Sequence, residues 1–208
     1  MSVRPIKILR RQTREEVEAI LYDGLGPDEL LLTERAWSPH RHRILRRYQA
    51  SNVPRAEWPQ SLHWDWSRKA PSLLQLDATG FGILADKQWQ GLMLTRTVPF
   101  EAELGIEKGK PLVYVDYVES APWNWRLPAI GHFGEMVGIG AALLREAVEQ
   151  SIREGFHGRI GLHSLPSAES LYQELGMTKL RNDPTKQNLA YFEFDRTTAQ
   201  LFLKGGSR

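Results

Sequence analysis

A chain of 208 residues, 41% hydrophobic and 25% charged, has room for one globular core or for a core with a helical extension. Its formal net charge of +2 is too small to argue by itself for a nucleic-acid or membrane partner. The absence of cysteine excludes disulfides, thiolate catalysis and cysteine-ligated metals.

The opening stretch "MSVRPIKILRRQTREEVEAIL" has neither the apolar segment nor the small-residue cleavage site of a signal peptide. No apolar run approaches the roughly 18 residues that a membrane span needs. The expectation is a soluble, cytoplasmic protein with no membrane partner. "RPIKILR" reads as a short strand, and "TREEVEAIL" as a helix opened by Thr13 with acidic residues in its first turn.

Up to Pro71 the chain is punctuated by Pro39, Pro54, Pro59 and Pro71 into short pieces that read as helical, with "HRHRILRRYQA" the best candidate. The charge run there reads as a solvated face, with an RNA-contacting surface as the alternative. His40 and His42 stand two apart with no third ligand nearby, so they read as surface residues and no metal site is expected. Trp64 and Trp66 alternate around Asp65, which puts both indoles on one side of an extended segment and suits an anchor onto the core.

From Leu73 the texture changes. "GFGILAD" and "GLMLTRTV" read as strands of a hairpin joined by "DKQWQ", and "KPLVYVDYVES" as a central strand. "APWNWRLPAIGHF" is loop-like. A long amphipathic helix follows, with Ile139, Leu143, Leu144, Ala147, Val148 and Ile152 on one stripe and Arg145, Glu146, Glu149 and Arg153 on the other side. "GRIGLHS" is a strand, "SAESLYQELG" a helix carrying Ala168, Leu171, Tyr172 and Leu175 on one stripe, "LAYFEFD" a strand and "RTTAQLFL" a last helix. The order implies an α/β (α+β) fold, a mixed sheet covered by helices.

Gly138 and Gly140 sit at the mouth of the long helix, where a glycine costs about 0.5–1 kcal/mol relative to alanine. A helix start offers unpaired N–H groups and the positive end of a dipole, and glycine leaves them open to phosphate oxygens. A tight turn chosen only for its backbone angles is the alternative.

From residue 113 to residue 178 the chain resembles the GNAT N-acetyltransferase superfamily. In that family a strand runs into a Q/R-x-x-G-x-G/A turn, then a helix, a second strand, and a helix ending in a Tyr-x-x-x-Gly pattern. Here the turn is Glu135-Met136-Val137-Gly138-Ile139-Gly140, and "GRIGLHSLPSAESLYQELGMTKL" carries Tyr172 and Gly176. The resemblance implies a GNAT-like, mostly antiparallel sheet with one splayed parallel pair, formed by "LVYVDYVES" and "RIGLHS". It implies acetyl-CoA as the acyl donor, with pyrophosphate on the amides of Met136, Val137, Gly138, Ile139, Gly140 and Ala141 and pantetheine in the splay. Three positions depart from the pattern. Glu135 replaces the usual Gln or Arg and is expected to point outward. Leu165 replaces an Asn, so that polar contact is lost or moves to Ser164. "WNWRLPAIGH" looks like extra sequence on the acceptor side.

Acyl transfer to an amine needs a neutral nucleophile, oxyanion stabilisation and a proton for the departing thiolate. Strand alternation puts Asp116 on the face with Tyr114 and Val118, and Glu119 on the face with Val115 and Tyr117. Glu119 is the preferred general base because it lies nearest the strand end, with a rim carboxylate of no catalytic duty as the alternative. Asp116 reads as paired within the fold, and His163 as a second base or a hydrogen-bonded structural residue. The resemblance makes Tyr172 the proton donor to the thiolate, although its place on an apolar stripe also suits core filling. Trp123 and Asn124 are expected to form a wall of the acceptor pocket.

Together these readings give a single GNAT-like domain over 1–208, with a helical, acceptor-side part at 1–71 and an acyl-CoA-binding core at 111–180. The function expected is transfer of an acetyl or short acyl group from coenzyme A to a small-molecule or peptide amine by a monomer or homodimer. A non-catalytic acyl-CoA sensor or scaffold is the alternative.

Overall fold

The structure is a computed structural model and describes residues 1–205. The chain divides into two compact units, Met1–Leu92 with Glu119–Ile139, and Met93–Val118 with Gly140–Arg208. The strands are β1 (Ser2–Arg10), β2 (Glu16–Leu25), β3 (Ala78–Ala85), β4 (Gln88–Arg96), β5 (Val113–Ser120), β6 (Met136–Val137), β7 (Ile160–Ser164), β8 (Thr178–Asp183) and β9 (Leu189–Phe194). The helices are α1 (Pro27–Ala50), α2 (Trp66–Lys69), α3 (Ile139–Arg153), α4 (Glu169–Glu174) and α5 (Arg196–Lys204). The sheet is mixed and mostly antiparallel, with β5 and β7 its parallel pair. No helix among the described residues is long and apolar enough to cross a membrane.

In the first unit the strand order is β6-β1-β2-β3-β4. "TREEVEAIL" is a strand here, which corrects the helix expected from its acidic start. Its side chains alternate, with Glu16, Glu18 and Ile20 exposed and Ala19 and Leu21 buried. Register with β1 runs from Ser2↔Asp23 to Leu9↔Glu16. Period-two burial wins over the capping signal, because a helix would bury only part of that apolar set. The 1–71 segment is therefore a hairpin followed by helices.

The expected break at Pro39 is also corrected, since α1 runs through it. Pro27 opens the helix, and the Gly26 N–H donates to Glu29 Oε2 at 2.9 Å. Pro39 forfeits one intrahelical hydrogen bond, at about 3 kcal/mol. Against that stands a buried stripe of Leu30, Thr33, Trp37, Arg41, Ile44 and Tyr48. Burying Leu30 and Ile44 alone is worth about 1.5–3 kcal/mol each, enough to offset the proline. Pro54, Pro59 and Pro71 do punctuate the chain: 3-10 turns occupy Arg55–Glu57, Gln60–His63 and Ala70–Leu74. Asp86 and Lys87 reverse the chain between β3 and β4 with φ of 50° and 61°, the left-handed values a two-residue hairpin requires.

In the second unit the order is β4-β5-β7-β9-β8. β8 was not expected, because "TKLRND" has no apolar alternation; as an edge strand it is held by β9 on one side. On α3 Leu143, Leu144, Ala147 and Val148 are buried as the stripe implied, whereas Ile152 is 48% exposed. Glu146, assigned to the solvated side, is only 2% exposed and accepts a hydrogen bond from Arg153 Nη1 at 2.9 Å. Leu171 likewise leaves its expected stripe and is 41% exposed. Asp195 caps α5 by accepting from the Thr198 N–H at 2.8 Å.

Candidate active site

The glycine turn is built by the short strand before it. β6 pairs with β1 through Leu9↔Val137 and Arg10↔Met136, and the Arg11 N–H donates to the Glu135 carbonyl at 2.8 Å. Gly138 then takes φ +89°, a left-handed value that disfavours any side chain, and a Cβ there would meet nothing within 4 Å. Its surroundings are open, and the first-turn amides of α3 have no carbonyl four residues back to satisfy them. The Glu135 side chain is exposed, in keeping with its expected outward direction.

The Met136 amide is not available to a ligand, because it donates to Asn124 Oδ1 at 3.0 Å. The amide of Asn124 in turn donates to Gln90 Oε1 at 2.9 Å and to the Gln90 carbonyl at 3.3 Å. Trp123 Nε1 donates to the same Gln90 Oε1 at 2.9 Å. Trp123 and Asn124 thus tie the segment before β6 to β4, and their polar atoms are engaged inside the protein. Of the turn expected to receive pyrophosphate, Gly138 is the position with open space around it, while the Met136 amide is already engaged.

The parallel pair is short compared with its strands. Register between β5 and β7 runs Val113↔Ile160, Tyr114↔Gly161 and Val115↔Leu162, and stops there. β5 nevertheless continues to Ser120 and β7 to Ser164. Beyond Val115 and Leu162 the two strands are no longer in register with each other. Ser164 is 1% exposed, and its hydroxyl donates to the Leu165 carbonyl at 2.8 Å. Tyr172, 7% exposed on α4, lies against Phe192 with ring centroids 5.7 Å apart. Burial pushes its phenol up to about 12, so the hydroxyl keeps its proton at neutral pH.

Glu119 is not a rim carboxylate. It is 5% exposed and accepts at Oε2 from Arg41 Nη2 at 2.8 Å and from Trp66 Nε1 at 2.7 Å. Arg41 Nη1 donates to both oxygens of Glu34 at 2.7 Å, and the Trp66 N–H donates to Glu34 Oε2 at 2.9 Å. Burial pushes Glu119 up to about 7, opposed by Arg41, by the Trp66 hydrogen bond and by Lys69. Glu119 Oε1 is buried without a hydrogen-bond partner. Trp66 is a core anchor, as its place in the sequence suggested, whereas the role of Arg41 escaped the sequence reading. Arg41 belongs to the charge run expected on a solvated face, yet it falls four residues after Trp37 on the buried stripe of α1, a spacing readable in the sequence. Trp66 is fully buried, edge-on to Trp37 at 6.4 Å, whereas Trp64 carries the Lys69 ammonium 5.0 Å from its ring.

A cavity of about 200 Å³ in the first unit is lined by Glu34, Ser38, Arg41, His42, Leu45, Leu62, His63, Trp64 and Asp65. His163, the second candidate base, has both ring nitrogens engaged: Nδ1 with the Tyr114 hydroxyl at 2.8 Å and Nε2 with Asp183 Oδ2 at 3.2 Å. It is a structural histidine in this arrangement. Among the described residues no group of three or more His, Asp or Glu could hold a metal ion.

Solved structures share this architecture. An uncharacterized protein from Bacillus halodurans is similar over 96% of this chain and 94% of its own, with a TM-score of 0.57 and 11% identity. PaiA N-acetyltransferase from Thermoplasma acidophilum, solved in complex with coenzyme A, is similar over 83% of this chain and 97% of its own, with a TM-score of 0.50 and 15% identity. A Desulfovibrio desulfuricans protein described as an acetyltransferase of the GNAT family covers 84% of this chain and 96% of its own, at TM-score 0.50 and 13% identity. No family model and no curated protein matches the sequence. The chain has the GNAT fold, with the mixed sheet and the parallel pair of that architecture.

Proposed function

We propose that the protein is an N-acyltransferase, with acetyl as the default group, that uses acetyl-CoA to acylate an amine. The observation that carries this reading is the parallel pair that stops hydrogen bonding after Val115 and Leu162 while both strands continue. Open space at Gly138 supports it, as does the coenzyme A bound to the structurally similar PaiA enzyme. The amides of Gly138, Ile139, Gly140 and Ala141 hold the pyrophosphate, helped by the dipole of the fifteen-residue α3. Val137 and Met136 set the entry into the turn. Ser164, buried and donating to the Leu165 carbonyl, fixes the end of β7 beside the gap that takes the pantetheine arm. Trp123 and Asn124 hold the segment before β6 in place.

Bound acetyl-CoA supplies the activated acyl carbon. The amine nitrogen forms a bond to that carbon as the carbon–sulfur bond breaks. Glu119 takes the proton lost by the amine, and the Tyr172 hydroxyl gives its proton to the thiolate. A carboxylate held near neutrality suits that exchange, because an amine of pKa about 10.4 must lose a proton to react.

The burial of Glu119 in an ion pair favours a second reading, an acyl-CoA sensor or scaffold without turnover. Calorimetry with acetyl-CoA and thiol release over a panel of primary amines separate the two. Binding with turnover on at least one amine is expected. Binding with no turnover on any amine gives the sensor, and no binding removes both readings.

A further inference from the structure

The second unit holds a side-chain link at the place where the parallel pair parts. Tyr114 lies on β5 one residue before the last backbone pair, and His163 lies on β7 one residue after it. The Tyr114 hydroxyl and His163 Nδ1 are 2.8 Å apart, so the two strands stay joined by side chains just where their main chains separate. His163 is fixed from its other side as well. Its Nε2 meets Asp183 Oδ2 on β8 at 3.2 Å, and its ring lies 4.8 Å from that of Tyr191 on β9. Asp183 is held in turn by the Thr185 N–H at 2.9 Å and the Thr185 hydroxyl at 2.7 Å. Tyr114 is stacked on Phe100 at 4.2 Å and 10°.

Gly161 permits this assembly. It faces Tyr114 in the register, and a Cβ there would collide with the Tyr191 hydroxyl. The hydrogen-bond directions follow from the partners. Asp183, held down to about 2 by its Thr185 hydrogen bonds, is a carboxylate and only accepts, so neutral His163 carries its proton on Nε2. Nδ1 is then an acceptor and the Tyr114 hydroxyl donates to it. Arg181, 3.6 Å from Asp183, and Lys186, 6.0 Å from the Tyr114 ring, add positive charge around the same group.

We propose that Tyr114, His163 and Asp183 are positioning residues: a brace that sets the width of the gap between β5 and β7 and thereby the affinity for the pantetheine of coenzyme A. This rests on the acyltransferase reading. A strand edge released from its neighbour has several available separations, and a ligand that bridges the two edges loses affinity in proportion to the ordering it must impose. The brace removes that cost before binding.

The test is calorimetric titration with coenzyme A, paired with urea unfolding, for the wild type, Tyr114→Phe, His163→Gln, their double variant and Tyr48→Phe. Tyr48 is a buried tyrosine of the other unit and serves as the control. Tyr114→Phe keeps the stacked ring and removes only the link. Loss of one hydrogen bond's worth of ordering weakens coenzyme A binding about fivefold. His163→Gln is expected to do the same, the double variant to be no weaker than the worse single one, and Tyr48→Phe to leave affinity unchanged. Unaltered affinity in a folded Tyr114→Phe protein, or a loss matched by Tyr48→Phe, overturns the brace and leaves the acyltransferase reading standing. Failure of the wild type to bind coenzyme A overturns that reading itself, and the brace's proposed role with it.

Discussion

Arg41 Nη2 lies 2.8 Å from Glu119 Oε2, while Nη1 of the same guanidinium serves both oxygens of Glu34 at 2.7 Å. One cation on α1 therefore answers two carboxylates, half-buried Glu34 on its own helix and buried Glu119 at the end of β5. A buried charge left without its partner is costly, and Arg41→Ala would strand Glu34 and Glu119 together. We expect a loss of about 3–5 kcal/mol in urea-unfolding stability. A change of less than about 1 kcal/mol would mean that water replaces the guanidinium at no cost.

Glu119 makes stability depend on pH. Its folded pKa of about 7 lies above its ordinary 4.5, so the folded state holds the proton longer than the unfolded state. Its contribution is fully present below pH 4.5 and is lost as pH rises from there through about 7, on the order of 3 kcal/mol in all. Glu119→Gln is expected to flatten the fall in unfolding free energy between pH 5 and pH 8. An equally steep fall in the variant would assign the dependence to another group.

Gly138 is the most exacting position of the turn. With φ +89° any side chain strains the backbone, and a carboxylate adds repulsion toward phosphate. Gly138→Glu is expected to abolish coenzyme A binding in calorimetry while the protein stays folded. Unchanged binding would move the pyrophosphate away from this helix start.

Tyr172→Phe removes one hydroxyl from a side chain that otherwise fills space against Phe192. The expected result is unchanged coenzyme A affinity with turnover slower by about 10²–10⁴ at saturating acyl donor. A rate equal to wild type would confine Tyr172 to packing.

Gly161→Ala inserts a methyl group where the Tyr191 hydroxyl lies. Overpacking of this kind costs about 1–3 kcal/mol, measurable by thermal or urea unfolding. A neutral substitution would show that Tyr191 swings aside freely.

Local pattern determined much of this protein from sequence alone. Alternation in "KPLVYVDYVES", the apolar stripe of α3 and the Gly-x-Gly spacing before it all report on neighbours one or two turns away, so one strand of text contains them. A mixed sheet covered by helices followed from their order, and the parallel pair from the resemblance to the GNAT superfamily. Tertiary structure alone decided where long-range partners meet. "TREEVEAIL" became a strand because β1 and β3 flank it, and Pro39 stayed helical because burial of α1 outweighs one missing hydrogen bond. Arg41 turned inward to Glu119, seventy-eight residues away, and the Met136 amide was claimed by Asn124. Such pairings depend on which surfaces are brought together and dried, a property of the folded whole that no short stretch of residues carries.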